Sequence, residues 1–166
     1  DAAGLWISED NKLALAHRRL AIIDLNKISN QPMKDLSEEI FITFNGEIYN
    51  YLELKNELLD LGYEFRTASD TEVILVAYKQ WGNQCIEKFN GMFSFCILDR
   101  RSNEFFIARD RAGEKPLFYY LDQDTFIFSS ELKSIMKKKK SPKINLESLD
   151  CLLSFGYIPG ELSILD

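Results

Sequence analysis

The chain has 166 residues, of which 46% are hydrophobic and 13% aromatic, and its net charge is −6. This length and composition predict a globular domain with a substantial core and exclude a disordered chain. The acidic balance offers no phosphate-neutralising surface and no apolar run reaches a membrane span, so we expect neither nucleic acid nor membrane as a partner.

Short strands are the first predicted elements. Apolar runs at 13–15 and 20–25 flank the charged triplet 17–19. The β-branched and aromatic run 40–44 predicts a further strand, which we expect to end at the turn pair Asn45-Gly46.

Two helices follow in the prediction. Apolar residues between 51 and 61 recur at helical spacing, and Gly62 supplies a stop signal. Ser69 and Glu72 have the spacing of a capping box before the apolar run 73–78, so we expect the second helix to begin at Ser69 and to end near Gly82.

The pattern then returns to strands. The apolar run 92–98 predicts a strand covered on both faces, a hairpin leads into 105–108, and a second hairpin joins 117–121 to 125–128. A polar loop at 110–116 separates the two hairpins.

Two more helices close the chain. Ser129 or Ser130 is expected to cap one, and Asn145 to cap another that reaches Phe155. Hairpin-linked strands with helices before and after favour an α+β fold of stacked antiparallel sheets over a parallel βαβ fold.

The cysteines carry little chemical signal. Cys85, Cys96 and Cys151 lie far apart without metal-ligand spacing, so we expect no metal site. Their odd number and the absence of a signal peptide predict a reducing, cytoplasmic location. Cys96 lies within an apolar strand, which is typical of a core thiol and not of a nucleophile.

Polar residues at the ends of elements are more informative. Asn45-Gly46 suits an oxyanion hole, but turn formation explains the pair equally well. Asp70 suits either a helix cap or a functional carboxylate. Arg19, between apolar residues, needs an anionic partner and is either a structural ion pair or a carboxylate clamp. His17 is either a general base or a structural hydrogen-bonding group.

Several motifs together resemble a known family. Residues 16–25 followed by Gln31-Pro32-Met33 resemble the glutaminase domain of glutamine-hydrolysing asparagine synthetases. Further motifs of that family follow in the same order: 44–51, 69–75, 90–93, 108–113, 115–117, 130–133 and 155–159. Each motif alone is weak, but their succession is specific and covers essentially the whole chain.

The resemblance implies a fold and a domain plan. The fold is the αββα sandwich of N-terminal-nucleophile hydrolases, with two stacked antiparallel sheets covered by helices, here truncated at the N-terminus. Residues 1–155 would form a partial class II glutamine amidotransferase domain. Residues 156–166 would begin the linker to an ATP-dependent synthetase domain missing from this chain.

The resemblance also implies site roles. The side chain of Asn45 and the N–H of Gly46 would stabilise the oxyanion formed at the side-chain amide of glutamine. The other predicted site residues would bind the α-carboxylate and the α-ammonium group of glutamine. Arg19 would hold the carboxylate, which a guanidinium binds in bidentate fashion. Asp70 would bind the ammonium, and Glu47 with backbone groups near Ile22 and Ile23 would complete the pocket.

The nucleophile of that family is an N-terminal cysteine whose own α-amino group can act as base. The family's opening Cys-Gly-Ile stretch is absent, and Asp1 matches the aspartate that closes the loop after it. The chain also lacks an initiator Met and stops without a turn signal or a polar tail, so both ends look cut. We expect no ammonia release from this polypeptide alone.

For the parent protein, the resemblance implies that ammonia from glutamine serves an ATP-dependent conversion of aspartate to asparagine. The glutaminase domain would need no cofactor, whereas the synthetase domain would use ATP and Mg²⁺. A homodimer is a further option. Two alternatives stay open: a related amidotransferase acting on a surface-polysaccharide or secondary-metabolite carboxylate, and a binding module without a nucleophile.

Overall fold

The computed structural model of the chain describes residues 2–19, 26–138, 142–160 and 162–165. The described chain divides into two compact units, residues 1–116 and 117–166. The predicted boundary at 155/156 concerns a different division, between this domain and a linker, and stays a prediction.

The first unit contains two antiparallel sheets. Strands β1 and β2 form a hairpin, and β3 to β6 form a four-stranded sheet in chain order. Their bounds are β1 Ala2–Ile7, β2 Ala14–Arg19, β3 Met33–Lys34, β4 Ile40–Ile48, β5 Gly91–Asp99 and β6 Glu104–Arg109. Short loops join β3 to β4 and β5 to β6 as hairpins, whereas β4 and β5 pair antiparallel across a longer connection.

Two helices, α1 Tyr51–Asp60 and α2 Asp70–Trp81, connect β4 to β5. The first nine residues of α2 are all buried, through Tyr78, so this helix is central to the core. Apolar side chains of α1 and α2 pack with Ile42, Phe44 and other residues of one sheet face. Full burial of each such side chain contributes about 1.5–3 kcal/mol, which makes this layer the main source of stability.

The other face of the four-stranded sheet meets the hairpin. The rings of Trp6 on β1 and Phe41 on β4 lie 4.4 Å apart. Alternate residues of a strand point to opposite faces, so Phe41, Asn45 and Glu47 share the face turned away from the helices. The first unit therefore has three layers, helices, sheet and hairpin, and Asn45 and Glu47 face the inner gap between the two sheets.

The second unit contains a hairpin and two helices. Strands β7 Phe118–Leu121 and β8 Phe126–Ser129 pair antiparallel, as predicted. Helix α3 spans Leu132–Met136 and α4 spans Leu146–Phe155. Asn145 caps α4 by accepting a hydrogen bond from Ser148 N–H at 2.8 Å, which confirms the predicted cap.

Three predicted boundaries were wrong. β4 does not end at Asn45-Gly46 but continues to Ile48, because Asn45, Gly46 and Glu47 all pair with β5. β2 does not stop before the charged triplet but includes it. Helix α3 has Glu131 at its N-cap position instead of a serine, and the Glu131 side chain makes no capping hydrogen bond. The predicted strand at 20–25 lies outside the described residues.

Candidate active site

A pocket of about 280 Å³ in the first unit brings together five of the seven predicted site residues. They are Arg19, Asn45, Gly46, Glu47 and Asp70. The other residues lining the pocket are His17, Arg18, Gln31, Phe44, Ser69, Thr71, Met92 and Lys115. The remaining predicted residues, Ile22 and Ile23, lie outside the described residues.

One edge of β4 forms the centre of this pocket. The N–H groups of Phe44, Gly46 and Ile48 point to the same edge, because residues two apart in a strand repeat their orientation. Phe44 N–H donates to Oε1 of Gln31 at 2.6 Å, and Ile48 N–H donates to Oδ2 of Asp70 at 3.2 Å. The side chains of Gln31 and Asp70 thus accept from the N–H groups on either side, and the N–H of Gly46 lies between these two.

The neighbouring strand does not use the Gly46 N–H either. Phe93 lies opposite Gly46 in β5. Its own N–H donates to the carboxylate of Asp110 at 3.1 Å, and its carbonyl accepts from Asp110 N–H at 2.8 Å. Because both backbone groups of Phe93 point towards Asp110, the Gly46 N–H faces the pocket, where it is available to an oxyanion.

The backbone conformation and surroundings of position 46 require glycine. Its φ is +151°, and a Cβ there would lie 2.1 Å from the carbonyl oxygen of Met92. A Cβ on Gly91 would likewise lie 2.2 Å from the carbonyl oxygen of Glu47. The close approach of β4 and β5 therefore explains the glycine in Asn45-Gly46, where the sequence alone indicated a turn.

Asp70 is the most buried charged group of the pocket, at 4% exposure. Burial raises the pKa of its carboxyl group and the nearby charge of Glu47 raises it further, against hydrogen bonds from the N–H groups of Ile48 and Thr71. Two carboxylates in one partly enclosed site favour a cationic ligand, because a cation relieves both burial and mutual repulsion.

The loop before Asp70 is held by Glu72, which is 3% exposed. Its carboxylate accepts hydrogen bonds from the N–H groups of Arg66 and Thr67, and from the Thr67 hydroxyl at 2.7 Å. Ser69 caps α2 as predicted, but through Thr71 N–H. Glu72 thus serves the preceding loop, which the capping-box pattern did not indicate.

Cationic side chains line the same pocket. Arg19, at the end of β2, and Arg18 lie there with Lys115. The turn that carries Lys115 is fixed, because its N–H donates to Asp110 at 3.0 Å and its carbonyl accepts from Arg109 Nε at 2.5 Å. The pocket therefore carries both charge signs, which suits a zwitterionic amino acid.

His17 contributes a neutral imidazole to the pocket. Burial lowers the pKa of His17 and the charge of Arg19 lowers it further, while the nearby backbone of Phe44 opposes both. Nδ1 is buried and has no hydrogen-bond partner among the described residues. The sequence left the role of His17 open, and the structure places it at the site.

Gln31, Thr71 and Lys115 line the pocket but were not among the site residues predicted from the sequence. Gln31 and Lys115 lie within motifs that carry the family resemblance, and Thr71 follows the predicted cap. The motifs marked these positions, but no local signal showed that they meet in one pocket.

Two of the three cysteines are buried in the core of the first unit. Cys85 and Cys96 are buried, and burial raises the pKa of Cys85 to about 12 and that of Cys96 as well. Neither thiol is therefore a thiolate nucleophile at neutral pH.

The described residues contain no cluster of three or more His, Cys, Asp or Glu suited to a metal ion. No helix in the described part of the chain is long and apolar enough to cross a membrane.

Comparisons with known proteins agree with this geometry. Residues 1–166 match the family model described as a glutamine amidotransferase domain. A putative glutamine-hydrolysing asparagine synthetase 2 of Methanocaldococcus jannaschii is 41% identical over 99% of this chain and 35% of its own length. Asparagine synthetase 1 of Bacillus subtilis is 41% identical over 95% of this chain and 24% of its own length.

A solved structure supports the fold. Glutamine phosphoribosylpyrophosphate amidotransferase of Bacillus subtilis superposes with a TM-score of 0.63 at 25% identity, over 74% of this chain and 28% of that one. The expected family and the N-terminal-nucleophile hydrolase fold are therefore confirmed. The chain spans only about a quarter to a third of the length of the two synthetases.

Proposed function

Because this chain belongs to the glutamine amidotransferase domain family, we propose that its pocket binds L-glutamine and supports hydrolysis of the side-chain amide to glutamate and ammonia. The observation that carries this proposal is the Gly46 N–H, which faces the pocket between two occupied N–H groups. An N–H donor in that position suits the oxygen of an amide under attack.

The two ends of glutamine match the charges of the pocket. Asp70, with Glu47 beside it, binds the α-ammonium group, whose charge relieves the raised pKa of Asp70. Arg19 binds the α-carboxylate in bidentate fashion. The side-chain amide then extends to Asn45 and Gly46, where the Asn45 amide and the Gly46 N–H bind its oxygen.

The chemical step adds a nucleophile to the carboxamide carbon. The carbonyl electrons move to the oxygen, which Asn45 and Gly46 stabilise. The carbonyl bond then re-forms as the C–N bond breaks, and the nitrogen leaves as ammonia with the proton that the nucleophile has lost. Water then hydrolyses the acyl intermediate to glutamate. We propose that an N-terminal cysteine outside these 166 residues supplies the nucleophile, since burial and a raised pKa disfavour Cys85 and Cys96.

We further propose that the parent protein uses the ammonia to convert aspartate to asparagine. The names of the relatives and their greater length support a synthetase domain in the same polypeptide. ATP and Mg²⁺ would act in that domain. The three free cysteines support a cytoplasmic location, and a homodimer stays a prediction.

Equilibrium binding tests the proposed function. We expect chemical-shift titration by NMR to show saturable binding of L-glutamine at the pocket. Asp70→Asn removes the charge that binds the ammonium and should weaken this binding at least tenfold. Asp122→Asn, an exposed aspartate in the β7–β8 turn, is the matched control and should leave binding unchanged. A chain that binds no glutamine, or an Asp70→Asn variant that binds it normally, would refute the proposal.

A further inference from the structure

Gln31 connects the two sides of the pocket. Its side chain is buried, with 6% exposure, and lies between β4 and the start of α2. Oε1 accepts from Phe44 N–H at 2.6 Å, one residue before Asn45. Nε2 donates to Oγ1 of Thr71 at 3.3 Å, one residue after Asp70.

Asp70 makes the second connection between the same two elements. Its carboxylate accepts from Ile48 N–H at 3.2 Å, one residue after Glu47. The two connections therefore enclose residues 45–47 on β4 and close at the start of α2. Beside the apolar packing of α2 on the sheet, Asp70 joins the first turn of α2 to β4 by one hydrogen bond. Gln31 supplies a second hydrogen-bonded link on the other side of residues 45–47.

We propose that Gln31 is a positioning residue that sets the distance between the oxyanion site at Asn45-Gly46 and the ammonium site at Asp70. That distance selects an amino acid with the side-chain length of glutamine over asparagine, which is one methylene shorter. The inference rests on the proposed function. Gln31 acts through the elements it joins, and no contact between its side chain and the substrate is needed.

The physical reason lies in the two fixed ends of the ligand. An amino acid whose ammonium is held by Asp70 places its side-chain amide at a distance set by its methylene groups. When both hydrogen-bonded links fix the separation of the oxyanion and ammonium sites, the pocket accepts one such distance, whereas with one link lost the separation adjusts to several. Loss of the Gln31 connection should therefore reduce discrimination more than it reduces binding of either ligand alone.

Three variants separate this role from general stability. Gln31→Met keeps the side-chain length and removes both hydrogen bonds. Thr71→Val keeps the shape and removes only the hydroxyl that Gln31 binds, while Thr71→Ser restores a hydroxyl. The matched control is Tyr78→Phe, which removes a different hydrogen bond from α2 to the sheet, that of Tyr78 to Asp99 at 3.4 Å.

The readout is the ratio of dissociation constants for L-asparagine and L-glutamine, measured by NMR titration on chains shown to be folded by circular dichroism. We expect the ratio to fall about tenfold for Gln31→Met and about fivefold for Thr71→Val, and to stay near that of the unmodified chain for Thr71→Ser and Tyr78→Phe. A stability loss alone does not change this ratio, because it lowers the folded fraction for both ligands equally.

The outcomes are distinguishable. If the unmodified chain binds neither amino acid, the proposed function fails and this inference fails with it. If the chain prefers glutamine and Thr71→Val or a folded Gln31→Met keeps the same ratio, only the inference about Gln31 is overturned. Should Gln31→Met not fold, the contrast between Thr71→Val and Thr71→Ser decides alone.

Discussion

The carboxylate of Asp70 accepts a hydrogen bond from the N–H of Ile48 at 3.2 Å while keeping a raised pKa. Under the proposed function, this carboxylate has a structural and a ligand-binding role at once. The hydrogen bond fixes the carboxylate against β4, and the remaining burial and the charge of Glu47 leave it in need of a cation.

This arrangement predicts a pH dependence of glutamine binding. Asp70 must be ionised to bind an ammonium group, so affinity is complete above its raised pKa and falls as the pH drops through it. Because the pKa is raised, the loss begins at a higher pH than for an ordinary aspartate. NMR titrations between pH 7 and pH 4 measure this, and Asp70→Asn should give weak binding without that pH dependence. Affinity of the unmodified chain that stays constant down to the ordinary aspartate pKa would contradict it.

Gly46→Ala should destabilise the fold severely. The added methyl group would lie 2.1 Å from the Met92 carbonyl oxygen, in a conformation with φ +151°. We expect a loss of about 3 kcal/mol or more in the free energy of unfolding, measured with urea. Gly62→Ala is the matched control, because Gly62 also has a positive φ, +90°, but nothing lies within 4 Å of an added Cβ. It should cost only about 1 kcal/mol, and equal losses would disprove the role of strand approach.

The partly buried ion pair between Asp35 and Lys79 should make stability depend on acid pH. Burial alone would raise the pKa of Asp35, but hydrogen bonds from Ser37, Lys79 and Ile40 N–H lower it to about 2. A lowered pKa means that the stabilisation is complete above the ordinary aspartate pKa of 3.8 and is lost as the pH falls towards about 2. Urea unfolding across this range should show that decrease.

Asp35→Asn tests the same pair at neutral pH. We expect a loss of about 1.5–3 kcal/mol, because the buried Asp35 side chain then loses its charge-assisted hydrogen bonds with Ser37, Ile40 N–H and Lys79. Glu57→Gln breaks the more exposed pair of Glu57 with Lys88 at 2.7 Å and should cost less than about 1 kcal/mol. Similar losses in both variants would show that burial of Asp35 does not strengthen its pair.

His17 offers a direct measurement, since it is the single histidine of the chain. Burial and the charge of Arg19 lower its pKa, so an NMR titration of its ring proton should have a midpoint below 6.5. Arg19→Gln removes the repelling charge and should move the midpoint upward. The chain unfolded in urea provides the reference, and a folded midpoint at or above that reference would contradict the structure.

The sequence predicted well wherever the signal was local. Helical spacing between 51 and 61, Ser69 before α2 and Asn145 before α4 all correspond to helices in the structure, because side chains near the helix ends act within a few residues. The family motifs likewise named the residues that meet in the pocket.

The sequence failed where the deciding contact is distant in the chain. Asn45-Gly46 has the pattern of a turn. Position 46 nevertheless requires glycine because a Cβ there would collide with the carbonyl oxygen of Met92, which lies far along the chain. Gln31 and Thr71 are 40 positions apart and meet only after β4 and α2 have packed. No window along the sequence contains either pair, so neither the continued strand nor the bridging glutamine was predictable.

The hydrogen bonds of Glu72 affect the entropy cost of ligand binding. Arg66 and Thr67 belong to no helix or strand, but their N–H groups donate to a carboxylate that is almost fully buried. Their amide protons should exchange with solvent as slowly as those of regular structure. The wall of the pocket that presents Asp70 is thus ordered before any ligand arrives, so the entropy cost of shaping it belongs to folding and not to binding.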